Sequence, residues 1–257
     1  MSSFPHDLAS APWKAVHDVK YEVAILPWGA TEPHNFHLPF GTDIMESEYV
    51  ASESARRAAE AGAKVIVLPA IPYGVNTGQL DLNMTINMNP STQAVILKDV
   101  VDSLAKYKVR KVVIVNGHGG NDFKQMIREL QPGYSDIFIC TINWWQVLDQ
   151  KQFFDEKDDH AGEMETSVML AIAPTLVLPL SEAGPGNARP FRIKGLREGW
   201  AWAPRQWTQV TDDTGSGNPR KGTAEKGQKY LAALTTRISE FLVELSKADI
   251  HNLYEES

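Results

Sequence analysis

A chain of 257 residues, 43% of them hydrophobic, is long enough to bury one substantial α/β core. Its formal charge of −7 argues against the broad basic surface that nucleic-acid backbones and anionic membranes require, and points to small molecules or other proteins as partners. The opening "MSSFPHDLASAPWKAV" lacks a basic head followed by an apolar run, and no later stretch reaches the ~18 consecutive apolar residues of a spanning helix, so a cytoplasmic location is expected.

Short β-branched runs alternate with longer amphipathic ones, the pattern of βαβ units on a mostly parallel sheet. Strands are predicted at 21–28, 63–71, 110–117 and 135–143, each apolar almost throughout, as suits strands covered on both faces. Helices are predicted at 43–61, 91–107, 121–131, 162–173 and 223–247, with Ser91 and Asn121 as N-caps of the second and third. In the last helix Leu231, Leu234, Ile238, Leu242 and Leu245 recur at helical spacing, so one face lies against the sheet. Cys140, the lone cysteine, sits inside the fourth strand and reads as a packed thiol rather than a nucleophile. Residues 181–222 are rich in Gly and Pro and hold Trp200, Trp202 and Trp207; so long a loop serves a site as a lid or forms a subunit contact.

The expected fold is therefore a single-domain, Rossmann-like α/β unit over 1–257, a mostly parallel sheet flanked by helices. In such sheets the ligand crevice lies beyond the carboxyl ends of the strands, and there the chain places its acids and imidazoles. "TEPHNFHLPFGTD" after the first strand carries Glu32, His34, His37 and Asp43. "NGHGGN" after the third carries His118, and "DDHAGEMETS" beyond the fourth carries His160, Glu163 and Glu165. Carboxylates and imidazoles without a thiolate suit a catalytic zinc, manganese or iron better than a structural zinc. Glu32 and His34, two apart on an extended segment, point the same way, and Asp43 at a helix start has two oxygens with which to bridge two ions. Each residue alone also has a plainer reading: Asp43 as a helix cap, Glu165 as a solvated helical acid.

The three motifs resemble those of the creatininase (creatinine amidohydrolase) family, whose order T-E-x-H-x-x-H-L-P-x-G-T-D, N-G-H-G-G-N, H-A-G-E-x-E-T-S is matched over most of the chain, with "PYG" and "AEKG" in support. The resemblance implies a metal-dependent amidohydrolase that cleaves a non-peptide carbon–nitrogen bond, a cyclic amide or a formamide, by metal-activated water. It also implies two divalent ions, zinc or manganese with iron possible, and a homo-oligomer, commonly a hexamer. Carried over by position, Glu32 and His118 hold one ion, His34 and Glu165 the other, and Asp43 bridges. His160 exchanges the proton beside them, Trp145 borders the substrate, and His37 supports the site from the substrate side or from behind. Glu163 is the rival of Glu165. Two departures weaken the case for creatinine itself: Gly120 stands where creatininase has a glutamate, and Glu156 where it has a tryptophan. The rival readings are a homologue without catalysis and a phosphate- or nucleotide-binding module with "NGHGGN" as its anion cradle.

Overall fold

The computed structural model describes residues 4–255; the ends of the expected domain, 1–3 and 256–257, lie outside them. Four strands form one parallel sheet: β1 Val23–Trp28, β2 Val65–Val67, β3 Lys111–Asn116 and β4 Phe138–Asn143, in spatial order β2-β1-β3-β4. Registers run Val23 to Val65 on one side of β1 and Val23 to Lys111 on the other, and Lys111 to Phe138 across the next pair. β1 and β3 are buried along their whole length, as their unbroken apolar runs require. β2 is shorter than the predicted 63–71 because Pro69 lacks an N–H to continue the ladder: Leu68 donates to Ile25, and pairing resumes only as a single bridge at Ile71, which donates to Pro27.

Alternate strand residues feed two cores. Val23, Ile25, Val113 and Val115 face one side, where α1 (Thr42–Glu60) and a long helix, Ala224–Lys247, bring Val50, Ala55, Leu234 and Ile238. Ala24, Leu26, Val112 and Ile114 face the other, against α2 (Pro90–Lys106) and α3 (Phe123–Leu130). The result is the expected α/β architecture, a parallel sheet between two helical layers. A further helix, α4 (Glu163–Ile172), packs against the long C-terminal helix, α5 (Ala224–Lys247). Cys140 is packed as expected, its thiol pushed up to about 12 by burial.

Both predicted N-caps are corrected. Asn89 stands at the cap position of α2, without a side-chain bond, and Pro90 opens the helix where a missing N–H costs nothing, so Ser91 lies inside it. Asp122 caps α3, accepting from Lys124 N, while Asn121 is buried and accepts from Val75 N (3.1 Å) and Gln93 Nε2 (2.8 Å). A small antiparallel ribbon, β5 (Asp158–His160) with β6 (Ser216–Gly217), was not expected; it ties the long 181–222 segment to the third motif. No helix among the described residues is long and apolar enough to cross a membrane.

Candidate metal centre

The strand order reverses direction at β1, so the carboxyl ends of β1 and β3 open a crevice between their outgoing loops. Glu32 and His34 come from the β1 loop, Asp43 from the first turn of α1, and His118 from the β3 loop. His160 ends β5 and Glu165 lies in the first turn of α4. The sequence separates these six by up to 133 positions; the fold brings all of them to one buried spot, none more than 9% exposed.

The geometry of the imidazoles is specific. His118 Nε2 lies 3.0 Å from the carbonyl of Val75, His34 Nδ1 3.1 Å from that of Glu32, and His160 Nε2 3.0 Å from that of Pro33. A carbonyl only accepts, so each of these nitrogens carries the hydrogen, and the opposite nitrogen of a neutral ring is a bare lone pair. For His118 that second nitrogen, Nδ1, sits 2.6 Å from Glu32 Oε1 and 3.0 Å from Asp43 Oδ2. For His34 it is Nε2, 2.8 Å from Asp43 Oδ1. Lone pairs facing carboxylates repel unless a proton or a metal cation stands between them. Asp43 Oδ2 is buried and makes no well-aligned hydrogen bond, its nearest polar neighbour being that same His118 nitrogen, a further sign that the cluster is built around a cation.

Without an ion, protons take that role. Burial alone would neutralise His34, but Asp43 outweighs it and holds the ring up to about 10. His118 is likewise raised well above its ordinary value, burial being overcome by Glu32 and Asp43. Burial works against Asp43 and Glu32 too, yet His34 and His118 hold the Asp43 carboxyl low, and His118, then His160, do the same for Glu32. His160 has no carboxylate so near: burial, then His34, lower it, and it stands neutral. Burial, opposed by His34 and assisted by Asp158, raises Glu165 to about 8.

Three donor trios have ligand atoms within 4.8 Å of one another: Glu32 with Asp43 and His118, His34 with Asp43 and Glu165, and Glu32 with His34 and His160. The first two share Asp43, whose two oxygens point to different histidines. Asp43 is not a cap; Gly41 stands at that position with no side-chain bond. Glu163 is turned away, accepting from Asp155 N (2.9 Å) and Glu156 N (2.7 Å) and paired with Lys226. His37 is 1% exposed, its Nε2 2.8 Å from Thr166 Oγ1, and does not line the cleft, which corrects its placement beside the substrate. Glu156 pairs with Lys221 at 2.8 Å and does not line the cleft either.

Above the cluster opens a cleft of about 1080 Å³. Trp145 lines it. Sequence reasoning missed Trp207, Arg205 and Gln79. Trp207 packs on the His160 ring with centroids 4.9 Å apart, and the Arg205 guanidinium lies 4.7 Å over Trp207. Trp202 also lines the cleft, so the 181–222 segment reaches the site, and the tryptophan density of that segment was the available signal.

A buried carboxylate–imidazole cluster able to hold metal ions, set at the switch point of a parallel sheet, places the chain among α/β proteins with a candidate metal site. The profile of the family described as "Creatininase: Creatinine amidohydrolase" matches residues 9–242, and the chain belongs to that family of hydrolases acting on amide carbon–nitrogen bonds. Among relatives, the mycofactocin precursor peptide peptidase of Mycolicibacterium smegmatis is 27% identical over 239 residues, covering 90% of this chain and 88% of its own. Creatinine amidohydrolase of Pseudomonas putida is 28% identical over 176 residues, 60% of this chain and 66% of its own. The crystal structure of a candidate creatinine amidohydrolase from Bacteroides fragilis superposes with a TM-score of 0.92 at 44% identity, covering 99% of this chain and 100% of that one.

Proposed function

We propose that the chain is a divalent-metal-dependent amidohydrolase that cleaves a non-peptide amide, a cyclic amide or a formamide, with water. The observation that carries this reading is the shared arrangement of His34 and His118, each spending one ring N–H on a backbone carbonyl and turning the other nitrogen into one carboxylate cluster. Glu32, Asp43 and His118 would hold one ion and His34, Asp43 and Glu165 the other, with Asp43 between them. Oxygen and nitrogen donors suit zinc, manganese and iron; creatininases of the same fold have been solved in a manganese form and, as a mutant, in a Zn-Zn form.

Ions bound there supply a Lewis acid for the amide carbonyl and a water acidified toward a pKa of ~7. The chain supplies the rest. His160, neutral with its hydrogen on Nε2, has its Nδ1 lone pair free to take a proton from the attacking water and return it to the leaving nitrogen. An amide nitrogen leaves poorly unless protonated, so this transfer is the step a side chain must serve. Trp207 fixes the plane of the His160 ring and, with Trp145, walls the cleft against bulk water. A small-molecule amide substrate in a cytoplasmic homo-oligomer is part of the same reading.

The anion-cradle alternative loses ground, because the start of α3 is already capped by the Asp122 carboxylate and faces further acids. Elemental analysis combined with a hydrolysis screen over lactams, cyclic ureides, formamides and short peptides tests the proposal. His118→Ala is expected to lose metal and hydrolysis together, and His160→Ala to keep its metal while turnover falls at least ~100-fold. Full activity in either variant with metal retained would refute the assignment, and a metal-bearing wild type inert toward every amide would favour a homologue without catalysis.

A further inference from the structure

We propose that Gln79 is a positioning residue for the ion assigned to Glu32 and His118, an inference that rests on the metal reading above. Gln79 closes a three-residue 3₁₀ turn, Thr77–Gln79, in the loop after β2. It is 3% exposed and lines the floor of the cleft. Its Nε2 donates to Glu32 Oε2, while the other oxygen of that carboxylate, Oε1, is the one turned toward His118. A glutamate side chain rotates easily about its last bond, so a carboxylate held at one oxygen presents the other in a fixed direction. Gln79 thus selects which oxygen of Glu32 faces the ion.

The turn that carries Gln79 is itself held from two sides. Asn76 Nδ2 donates to the carbonyls of Ile86 (3.0 Å) and Thr31 (3.4 Å), the latter adjacent to Glu32 in the chain. Gly78 lies so close to the 205–207 segment that a Cβ there would come within 1.9 Å of the Arg205 carbonyl oxygen, and Asp81 accepts from Gln206. No side chain can enter from the β3 loop at Gly120: a Cβ there would meet Val75 O at 2.3 Å and His118 Nε2 at 2.4 Å. The amide that reaches Glu32 therefore comes from the β2 loop. Gln79 Oε1 is buried with no partner, an acceptor left open in a site otherwise rich in acids, as expected where the missing partner arrives with a ligand.

Partners that orient a metal ligand typically change affinity 10–100-fold when removed. Zinc titration against a chromophoric chelator, with stoichiometry by elemental analysis, tests this on wild type, Gln79→Met and Gln79→Asn. His118→Ala and Glu165→Gln assign the two binding steps. Met keeps the volume and loses the amide; Asn keeps the amide and falls one methylene short. Both variants are expected to bind about tenfold or more weakly at the step that His118→Ala abolishes, with the step that Glu165→Gln abolishes unchanged. Damage to packing would weaken both steps alike. Wild-type affinity at both steps in the Gln79 variants, or equal loss at both, overturns the role of Gln79 alone. Wild-type zinc binding in His118→Ala overturns the metal reading and this inference with it.

Discussion

At the residue scale, the histidines carry a consequence for proton balance. In the metal-free protein at pH 7, His34 and His118 are protonated, His34 at about 10 and His118 raised well above its usual value by Glu32 and Asp43. A metal must displace those protons and the one on Glu165, whose carboxyl burial holds at about 8, so loading is expected to release about three protons per chain, readable with an indicator dye in weakly buffered solution. Absence of release would mean that the imidazoles are not ligands. Gly120 is tested in the same spirit. A methyl group at 2.3 Å from Val75 O and 2.4 Å from His118 Nε2 cannot be accommodated in place. Gly120→Ala is therefore expected to displace His118, to cost roughly 1–3 kcal/mol in denaturant unfolding and to lower metal content. That glycine was legible as a tight turn in "NGHGGN", but which atoms crowd it was not, because Val75 is 45 positions away.

At the scale of elements, the N-terminal turn of α4 decides between two glutamates. Residues two apart on a helix point about 200° away from each other, so Glu163 and Glu165 cannot serve one site. Asp158 fixes the turn, accepting from Gly162 N (3.0 Å), Met164 N (2.7 Å) and Glu165 N (3.3 Å). Ala161, in the left-handed region at φ 54°, swings the chain from His160 into the helix, and its N–H donates to Glu165. Glu163 is then left to bind Lys226 of α5, a link between helices rather than a ligand. Glu165→Gln is expected to lose one ion, whereas Glu163→Gln is expected to keep both and to lower stability, since it leaves Lys226 without its buried partner. Metal analysis beside thermal unfolding distinguishes the two; a Glu163→Gln protein short of metal would reverse the assignment. Both carboxylates were visible in "HAGEMETS", and only the direction of the helix separates them.

At the scale of the whole molecule, stability should depend on pH through His37. Burial first, then the nearby His34, lower it to about 4. The unfolded chain takes up a proton near pH ~6.5 while the folded chain resists until about 4. Stability is thus full above the unfolded value, falls as pH drops through that window, and levels off below it. Comparison with His37→Gln isolates the effect from the acids: the difference in unfolding free energy is expected to shift by up to about 3 kcal/mol between pH 6.5 and 4. A parallel pair of stability curves would show that His37 protonates freely in the fold.

The sequence by itself determined the order of strands and helices and the three motifs that meet at the switch point. Apolar runs, helical spacing and the residues of a tight turn act over a few neighbours and need no knowledge of the fold. It also marked the tryptophan-bearing 181–222 segment as a lid or a subunit contact. Only the tertiary structure decided that Asn121 ties down the β2 loop instead of capping a helix, and that Gln79 reaches Glu32. It likewise brought Trp207 from the long segment onto His160. Those choices depend on contacts between residues some 45 or more positions apart, where the partner that satisfies a buried polar group or flanks a ring is selected by packing rather than by its place in the chain.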